Sequence, residues 1–389
     1  MSKSHFKHVK IAGMSVVVPE KEINIYDEAE YYGGNIKKID RMRKMVGFHK
    51  RRVADARTTA SDLAVEASRV LIEDMKLNRD EIDALVFVVQ MPDFTSPANA
   101  FYIHKELGLS DDTPCFDINM GCAGFVYGMW SVSQMIESGT CKRVLLVFGD
   151  TPAKGMEFSN RNVAPIFGDA GAAVLVDYSK EVVESYYNIE TRSKGFESIL
   201  TPMSGARMLP SFFDDAEWEL FCSMRDKKVD SATGNTIGLF NLQLDGLAVF
   251  NFTIDVVPPN IRALMDYANV EEEDITSLLL HQANKQIVQA VGSAAQFPEE
   301  KAPYYAFENY GNNTMCSIPT NIASVLKEQS ESENIKVVAS GYGNGLTCAS
   351  CVLELDNIYN SGIRDYVVPD ETPTKTELYD YYLEKAKEV

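Results

Sequence analysis

The chain has 389 residues, 45% of them apolar, which is enough to build a large core as two domains or one layered unit. Its formal charge of -19 argues against nucleic acid as a partner. No apolar run reaches the roughly 18 residues of a membrane span, and no apolar stretch follows the charged N-terminus as in a signal peptide. Residues 8–19 read as a strand closed by Pro19. From Ile36 to Arg52 the chain carries eight basic residues against the single acid Asp40: Lys37, Lys38, Arg41, Arg43, Lys44, Lys50, Arg51 and Arg52. Such a stretch is either a solvated helix face or a landing site for an anionic partner. Ser61-Asp62-Leu63-Ala64 opens a helix with a plausible N-cap.

Next, Arg79-Asp80-Glu81-Ile82 leads into the apolar strand Asp83–Val89, and Glu272-Glu273-Asp274-Ile275 leads likewise into Thr276–His281. Each is followed by a helix and a further strand, Arg143–Phe148 and Lys336–Ser340. The step from Ile82 to Val144 equals that from Ile275 to Val337 (144 − 82 = 337 − 275 = 62). Two halves built on one plan explain the match. Strands alternating with helices predict an α/β protein with mainly parallel sheets.

Between the first pair of strands lies Gly121-Cys122-Ala123-Gly124-Phe125, just before a segment with helical apolar spacing (Val126, Met129, Trp130, Ser133, Ile136). A thiol at a helix N-terminus meets free N–H groups and the positive end of the dipole, a placement expected to lower its pKa. The repeat carries the position of Cys122 onto Met315, inside the glycine- and asparagine-rich loop Gly311–Pro319. Of five histidines, His281 alone closes a strand, in His281-Gln282-Ala283-Asn284. Most often such a histidine is a satisfied core residue, but in the half that also supplies Gly311-Asn312 it makes a Cys–His–Asn site reasonable. The seven cysteines are scattered singly apart from Cys348 and Cys351, which reads as reduced thiols in a cytoplasmic protein and not as a disulfide framework or metal pair.

In order along the chain stand Gly121–Phe125, Phe167-Gly168-Asp169-Ala170-Gly171-Ala172, His281–Asn284, Gly311-Asn312 with Ser317-Ile318-Pro319, and Gly341 to Thr347; Ser61–Ala64 and Leu244-Asp245-Gly246 also fit. Over about residues 8–356 this set resembles the thiolase-fold β-ketoacyl-acyl-carrier-protein synthase III enzymes. The resemblance implies a thiolase-like five-layer αβαβα fold of two pseudo-duplicated halves, 1–178 and 179–356; beyond it, the tail 357–389 exceeds the family's usual length and, ending in the acidic, tyrosine-rich pattern Glu377–Lys385, is expected to be helical. The resemblance also implies a homodimer with no metal and no cofactor. Cys122, His281 and Asn312 would be the catalytic residues, and the backbone N–H groups of Cys122 and Asn344 the oxyanion hole. The implied reaction is acylation of Cys122 by acyl-CoA or acyl-carrier protein, then decarboxylative condensation with malonyl-carrier protein. Transfer of the acyl group to an amine or alcohol, and a non-catalytic partner subunit, are the competing readings; Asn312 speaks against the first and Cys122 against the second.

Several positions depart from the family pattern. Asn344 stands where glycine is usual, and an asparagine that tolerates positive φ would preserve the turn. Arg41 and Met45 replace the tryptophan and arginine associated with the coenzyme A nucleotide, which favours a carrier-protein donor. Gln286 replaces a carrier-contacting arginine beside Lys285, and Ser96 a phenylalanine of the acyl-pocket floor. The carrier would dock on Arg41, Arg43, Lys44, Arg51 and Lys285. A long excursion, 204–240, carries Pro210–Phe213 and Trp218–Phe221 as a lid or a surface segment.

Overall fold

A computed structural model describes residues 2–208, 215–225, 227–230, 236–329 and 335–387. The elements that place the site are, in chain order, strands β1 (Ser2–Phe6) and β2 (Val9–Pro19) and helices α1 (Ile36–Val46) and α2 (Ala60–Asp74). They continue with β3 (Ala84–Val89), α3 (Asn99–Leu107), β4 (Cys115–Asn119), α4 (Gly124–Glu137), β5 (Arg143–Asp150), β6 (Ala170–Tyr178) and β7 (Ser185–Thr191). The second half adds α5 (Gly246–Ala268), β8 (Ser277–Leu280), α6 (Lys285–Ala294), α7 (Ser317–Val325), β9 (Lys336–Gly343) and β10 (Thr347–Glu354). The chain closes with β11 (Tyr359–Tyr366) and α8 (Lys375–Ala386).

Among the described residues, one large sheet has the order β11-β2-β6-β5-β3-β4 and the other β1-β7-β10-β9-β8. The duplication is visible in the register. Ala84 stands opposite Val144 in the parallel pair β3–β5, and Ser277 opposite Val337 in the parallel pair β8–β9, with the same sequence separation in both. Each half also places its last strand antiparallel between its first and its last but one (β6 between β2 and β5, β10 between β7 and β9). The sheets are therefore mixed, and the expectation of mainly parallel sheets is corrected: after the helical crossovers the chain returns antiparallel, through the long connection 151–169 in the first half and a tight hairpin in the second.

The five layers follow from which residues each strand sends to which face. Along β3, Val86 and Val88 point into the molecule's centre, while Leu85, Phe87 and Val89 point outward. The central layer is α4 and α7, whose Phe125, Val126, Met129, Ile318 and Ile322 are buried between the two sheets. Fully burying a side chain of this size contributes about 1.5–3 kcal/mol each. Helices α2 and α3 cover the outer face of the first sheet and α5 and α6 that of the second. The N-cap of α2 is Thr59, two residues before Ser61: its hydroxyl accepts from Asp62 N–H and Asp62 returns a bond to the Thr59 N–H.

The terminal strands cross between halves. β1 pairs with β7 in the second sheet, and β11 with β2 in the first. The tail expected to be helical from 357 onward is thus a strand first, and the helix starts only at Lys375 under a Thr374 capping box. In the excursion, Trp218 stacks on Phe221 in the exposed helix Asp215–Arg225. Pro210–Phe213 lies outside the described residues. Among the described residues, no helix is long and apolar enough to cross a membrane.

Candidate active site

Cys122 sits in the turn between β4 and α4, two residues ahead of the helix's first residue, Gly124. The turn closes through the Gly124 N–H donating to Gly121 carbonyl at 2.7 Å. Gly124 serves packing between the halves: a Cβ there would stand 2.8 Å from the Met315 Cβ and the Val88 Cγ1. Met315 is thus beside the cysteine loop, where the repeat puts it. From the other half, the β9–β10 turn leans over the thiol. A Cβ on Gly341 would meet the Ala123 Cα at 2.7 Å, and one on Gly343 would lie 3.0 Å from the Cys122 Sγ. Gly343 and Gly345 carry the positive φ values of this turn (144° and 135°), while Asn344 is not among the residues of positive φ, so the conformational freedom expected of Asn344 is not used.

The backbone N–H groups of Asn344 and of Cys122 itself are directed at the sulfur and favour its anion. Burial nevertheless outweighs them, and with the Asp150 carboxyl nearby it pushes the thiol up to about 11. The expectation that the helix start lowers this pKa is therefore corrected: the sulfur lies in an enclosed site where removal of water costs the charged form more than two amides return. An acylating carbonyl would bring to those amides the negative charge they are set to receive.

His281 follows β8, anchored by its N–H to the Ser340 carbonyl (2.8 Å) and by the Tyr342 hydroxyl donating to its own carbonyl (3.1 Å). Its ring meets Tyr342 edge-on at 5.6 Å. Burial brings the imidazole down to about 4, opposed by contact with the Thr314 backbone, so the ring is neutral at pH 7. Asn312 is pinned through its main chain, its N–H donating to Ile166 carbonyl (2.8 Å) and its carbonyl accepting from Gly168 N–H (3.2 Å). Its Oδ1 accepts from Thr314 N–H at 2.9 Å, which leaves the amide NH2 as the donor end. The Thr314 hydroxyl in turn donates to the Asp150 Oδ2 at 2.7 Å. Asp150, fully buried at the end of β5, is pushed up to about 7 by burial, with the Thr314 hydroxyl opposing and Asp169 adding to the rise.

Cys122, His281, Asn312 and Asn344 line one cavity of about 50 Å³, together with Gln90, Thr314 and the apolar side chains of Phe167, Ile199, Leu242, Leu244 and Val249. Trp218 and Phe221 do not line it. Thr314, Asp150 and Gln90 escaped the sequence reading. A buried Asp closing an all-apolar strand is the signal that could have flagged Asp150; Thr314 and Gln90 carry none, because their role depends on what lies across the fold.

The proposed docking residues divide. Arg41 and Lys44 are exposed on α1, Arg43 is half-buried there, and Lys285 packs its stem on Gly47 at the end of α1, with its ammonium 4.8 Å from the Tyr304 ring centroid. Arg51 is corrected: it is 3% exposed, and both terminal nitrogens of its guanidinium donate to Glu28 at 2.9 and 2.6 Å. Arg161 donates to the same carboxylate at 2.6 Å. Burial pushes the Glu28 carboxyl up, but the hydrogen bonds and charges of Arg51 and Arg161 together hold it below its usual value. Cys348 and Cys351 belong to cores on opposite faces of β10, so their side chains diverge.

The family model of 3-oxoacyl-[acyl-carrier-protein] synthase III matches residues 116–195, and that of its C-terminal part matches residues 265–355. A putative 3-oxoacyl-[acyl-carrier-protein] synthase 3 of Campylobacter jejuni is 33% identical, with 94% of this chain and 99% of that protein covered. A β-ketoacyl-[acyl-carrier-protein] synthase III of Clostridioides difficile is 30% identical over 79% of this chain and 87% of its own length. The crystal structure of a 3-oxoacyl-(acyl-carrier protein) synthase from Burkholderia xenovorans superposes with a TM-score of 0.84 at 29% identity, covering 94% of this chain and 99% of that one. The two family-model matches, the superposition on a solved synthase and near-complete coverage by a relative one-third identical lead to one conclusion: the chain belongs to the 3-oxoacyl-[acyl-carrier-protein] synthase III family of thiolase-fold ketosynthases.

Proposed function

We propose that Cys122 is the nucleophile of this ketosynthase, that His281 and Asn312 stabilise the enolate, and that the N–H groups of Cys122 and Asn344 form the oxyanion hole. The reaction is the decarboxylative condensation of an acyl thioester with malonyl-carrier protein. In the first stage the Cys122 sulfur attacks the thioester carbonyl, the tetrahedral oxyanion is held by the two backbone N–H groups, and the donor thiol leaves with the proton. In the second, malonyl thioester loses carbon dioxide, and its enolate oxygen is held by the neutral imidazole of His281 and the NH2 of Asn312. The carbanion then attacks the acyl carbonyl, and Cys122 departs as the 3-oxoacyl product forms. A neutral imidazole is the form this scheme needs, since it donates without an initial positive charge and can accept the thiol proton. The observation that carries the reading is the convergence of all four residues on one cavity, with the two amides facing the sulfur.

The exposed cations of α1 with Lys285 suit an acidic carrier protein as the donor, in a protein that is otherwise strongly anionic. A homodimer fits the open edge of the first sheet. Strand β4, which leads to Cys122, has one paired neighbour only, and Phe116 on it is 38% exposed.

The test separates the two stages. His281→Ala and Asn312→Ala should retain acylation of Cys122 by intact-protein mass spectrometry, while carbon dioxide release from malonyl thioester falls by about 10²–10³. Near-wild-type release in both variants would replace condensation by simple acyl transfer.

A further inference from the structure

Gln90 occupies the residue just past β3 and lines the same cavity as Cys122. It is half-buried, and its side-chain amide makes no hydrogen bond with the described residues. Its Oε1 rests against the backbone of the cysteine loop: a Cβ on Gly121 would lie 2.1 Å from that oxygen. Gly121 is thus the residue that gives the amide room beside the nucleophile. Several other polar side chains of the cavity are engaged by the protein, whereas His281 Nδ1 has no hydrogen-bond partner among the described residues. Asn312 Oδ1 accepts from Thr314 N–H, the Thr314 hydroxyl donates to Asp150, and the Thr253 hydroxyl donates to Phe250 carbonyl at 2.7 Å. Beside Cys122, His281, Tyr342 and Asn344, much of the remaining lining is apolar, from Phe167, Ile199, Leu242, Leu244 and Val249.

A free amide in such a lining is wetted while the cavity is open. A plain alkyl chain entering beside it would displace that water and leave the amide buried without a partner, which is unfavourable. A chain that carries a hydroxyl or carbonyl oxygen restores the bond. We propose that Gln90 is a specificity-determining residue, and that it selects a short acyl thioester bearing an oxygen function on its chain. The proposal rests on Cys122 being the acylated nucleophile.

The test compares the rates at which butyryl-pantetheine and 3-hydroxybutyryl-pantetheine acylate Cys122 in the full-length enzyme, read by intact-protein mass spectrometry. The wild type should favour the hydroxylated thioester by about five- to ten-fold, the value of one net hydrogen bond. Gln90→Leu, and Gln90→Met as a second variant of similar volume, should abolish or reverse that preference while the butyryl rate stays level or rises. Equal wild-type rates for the two thioesters overturn the proposal and leave the nucleophile intact. So does an equal slowing of both in the two variants, which would assign the amide to the thioester carbonyl. If neither thioester modifies Cys122 in the wild type, the reading of the nucleophile falls with the proposal.

Discussion

Cys122 and His281 lie in the same enclosed cavity, and removal of water acts on them in opposite directions. It holds the thiol in its protonated form, with its pKa up to about 11, and the imidazole in its neutral form, with its pKa down to about 4. The pair at pH 7 is therefore neutral thiol and neutral imidazole, not thiolate and imidazolium. Alkylation of Cys122 by iodoacetamide should consequently rise about tenfold per pH unit from pH 7 to 10, following thiolate fraction, with no plateau near neutrality. A plateau at pH 7 to 8 would show a preformed thiolate. Decarboxylation should decline in acid only as the solution approaches pH 4, where His281 gains a proton. Asp150 yields a stability prediction of the opposite sense. Its folded pKa, about 7, lies above the ordinary carboxyl value of 3.8, so its contribution is complete below pH 3.8 and is lost as pH rises through 7. Each tenfold gain in proton affinity on folding is worth about 1.4 kcal/mol, so the effect amounts to several kcal/mol. Asp150→Asn should therefore gain stability over the wild type as pH rises from 4 to 7, measured by denaturant unfolding. A constant difference across that range would remove Asp150 as the titrating group.

At the scale of the element, α1 and its neighbours show why charge in the sequence does not equal charge at the surface. The same run supplies the exposed Arg41 and Lys44 and, a short way further along, the buried Arg51, because the chain turns at Gly47 and enters the short strand Lys50–Arg52 beneath the Glu28 segment. Charge reversal on α1 (Arg41→Glu with Lys44→Glu) should raise KM for a carrier-bound substrate and weaken its salt dependence, with Tm unchanged. Unaltered kinetics at low ionic strength would return the helix to a solvated face. Arg51→Glu has the opposite signature. It sets two carboxylates together beneath the surface, and breaking a buried pair costs about 3–5 kcal/mol, so the loss is in Tm and soluble yield, not in KM. A similar contrast holds at the helix behind Cys122. Gly124→Ala puts a methyl group 2.8 Å from Met315 and Val88, where neither the central helix nor the first sheet can yield easily. A loss of about 1–3 kcal/mol is expected by denaturant unfolding.

Across the whole molecule, what the sequence made legible was whatever repeats or sits in a motif. The twofold plan was readable because the two strand pairs share one spacing, and the register of Ala84 with Val144 and Ser277 with Val337 follows from it. That Cys122, His281 and Asn312 come together at one cavity was readable because each stands in a distinctive local pattern. The antiparallel return of β6 and β10, the burial of Arg51, the protonated state of Cys122 and the place of Gln90 beside Gly121 were not, since each depends on contacts between residues far apart in the chain. The exchange of terminal strands is of this kind, and it bears on how the halves depend on each other. We propose that 1–178 and 179–356 are not separable folding units. The first sheet takes β11 from beyond the second half, the second takes β1 from the first residues, and the central core unites α4 with α7. Either half expressed alone leaves a sheet edge unpaired and one face of the central layer uncovered. Denaturant unfolding of the full chain should therefore be a single transition, coincident by far-ultraviolet circular dichroism and by hydrogen exchange of amides in both sheets. Removal of 375–389 alone, which takes the exposed helix α8 (Lys375–Ala386), should shift the midpoint little, whereas removal of 357–389 takes β11 from the first sheet and should lower it sharply. Two separated transitions in the intact chain, or a cooperatively folded 1–178 fragment, would show that the halves stand independently.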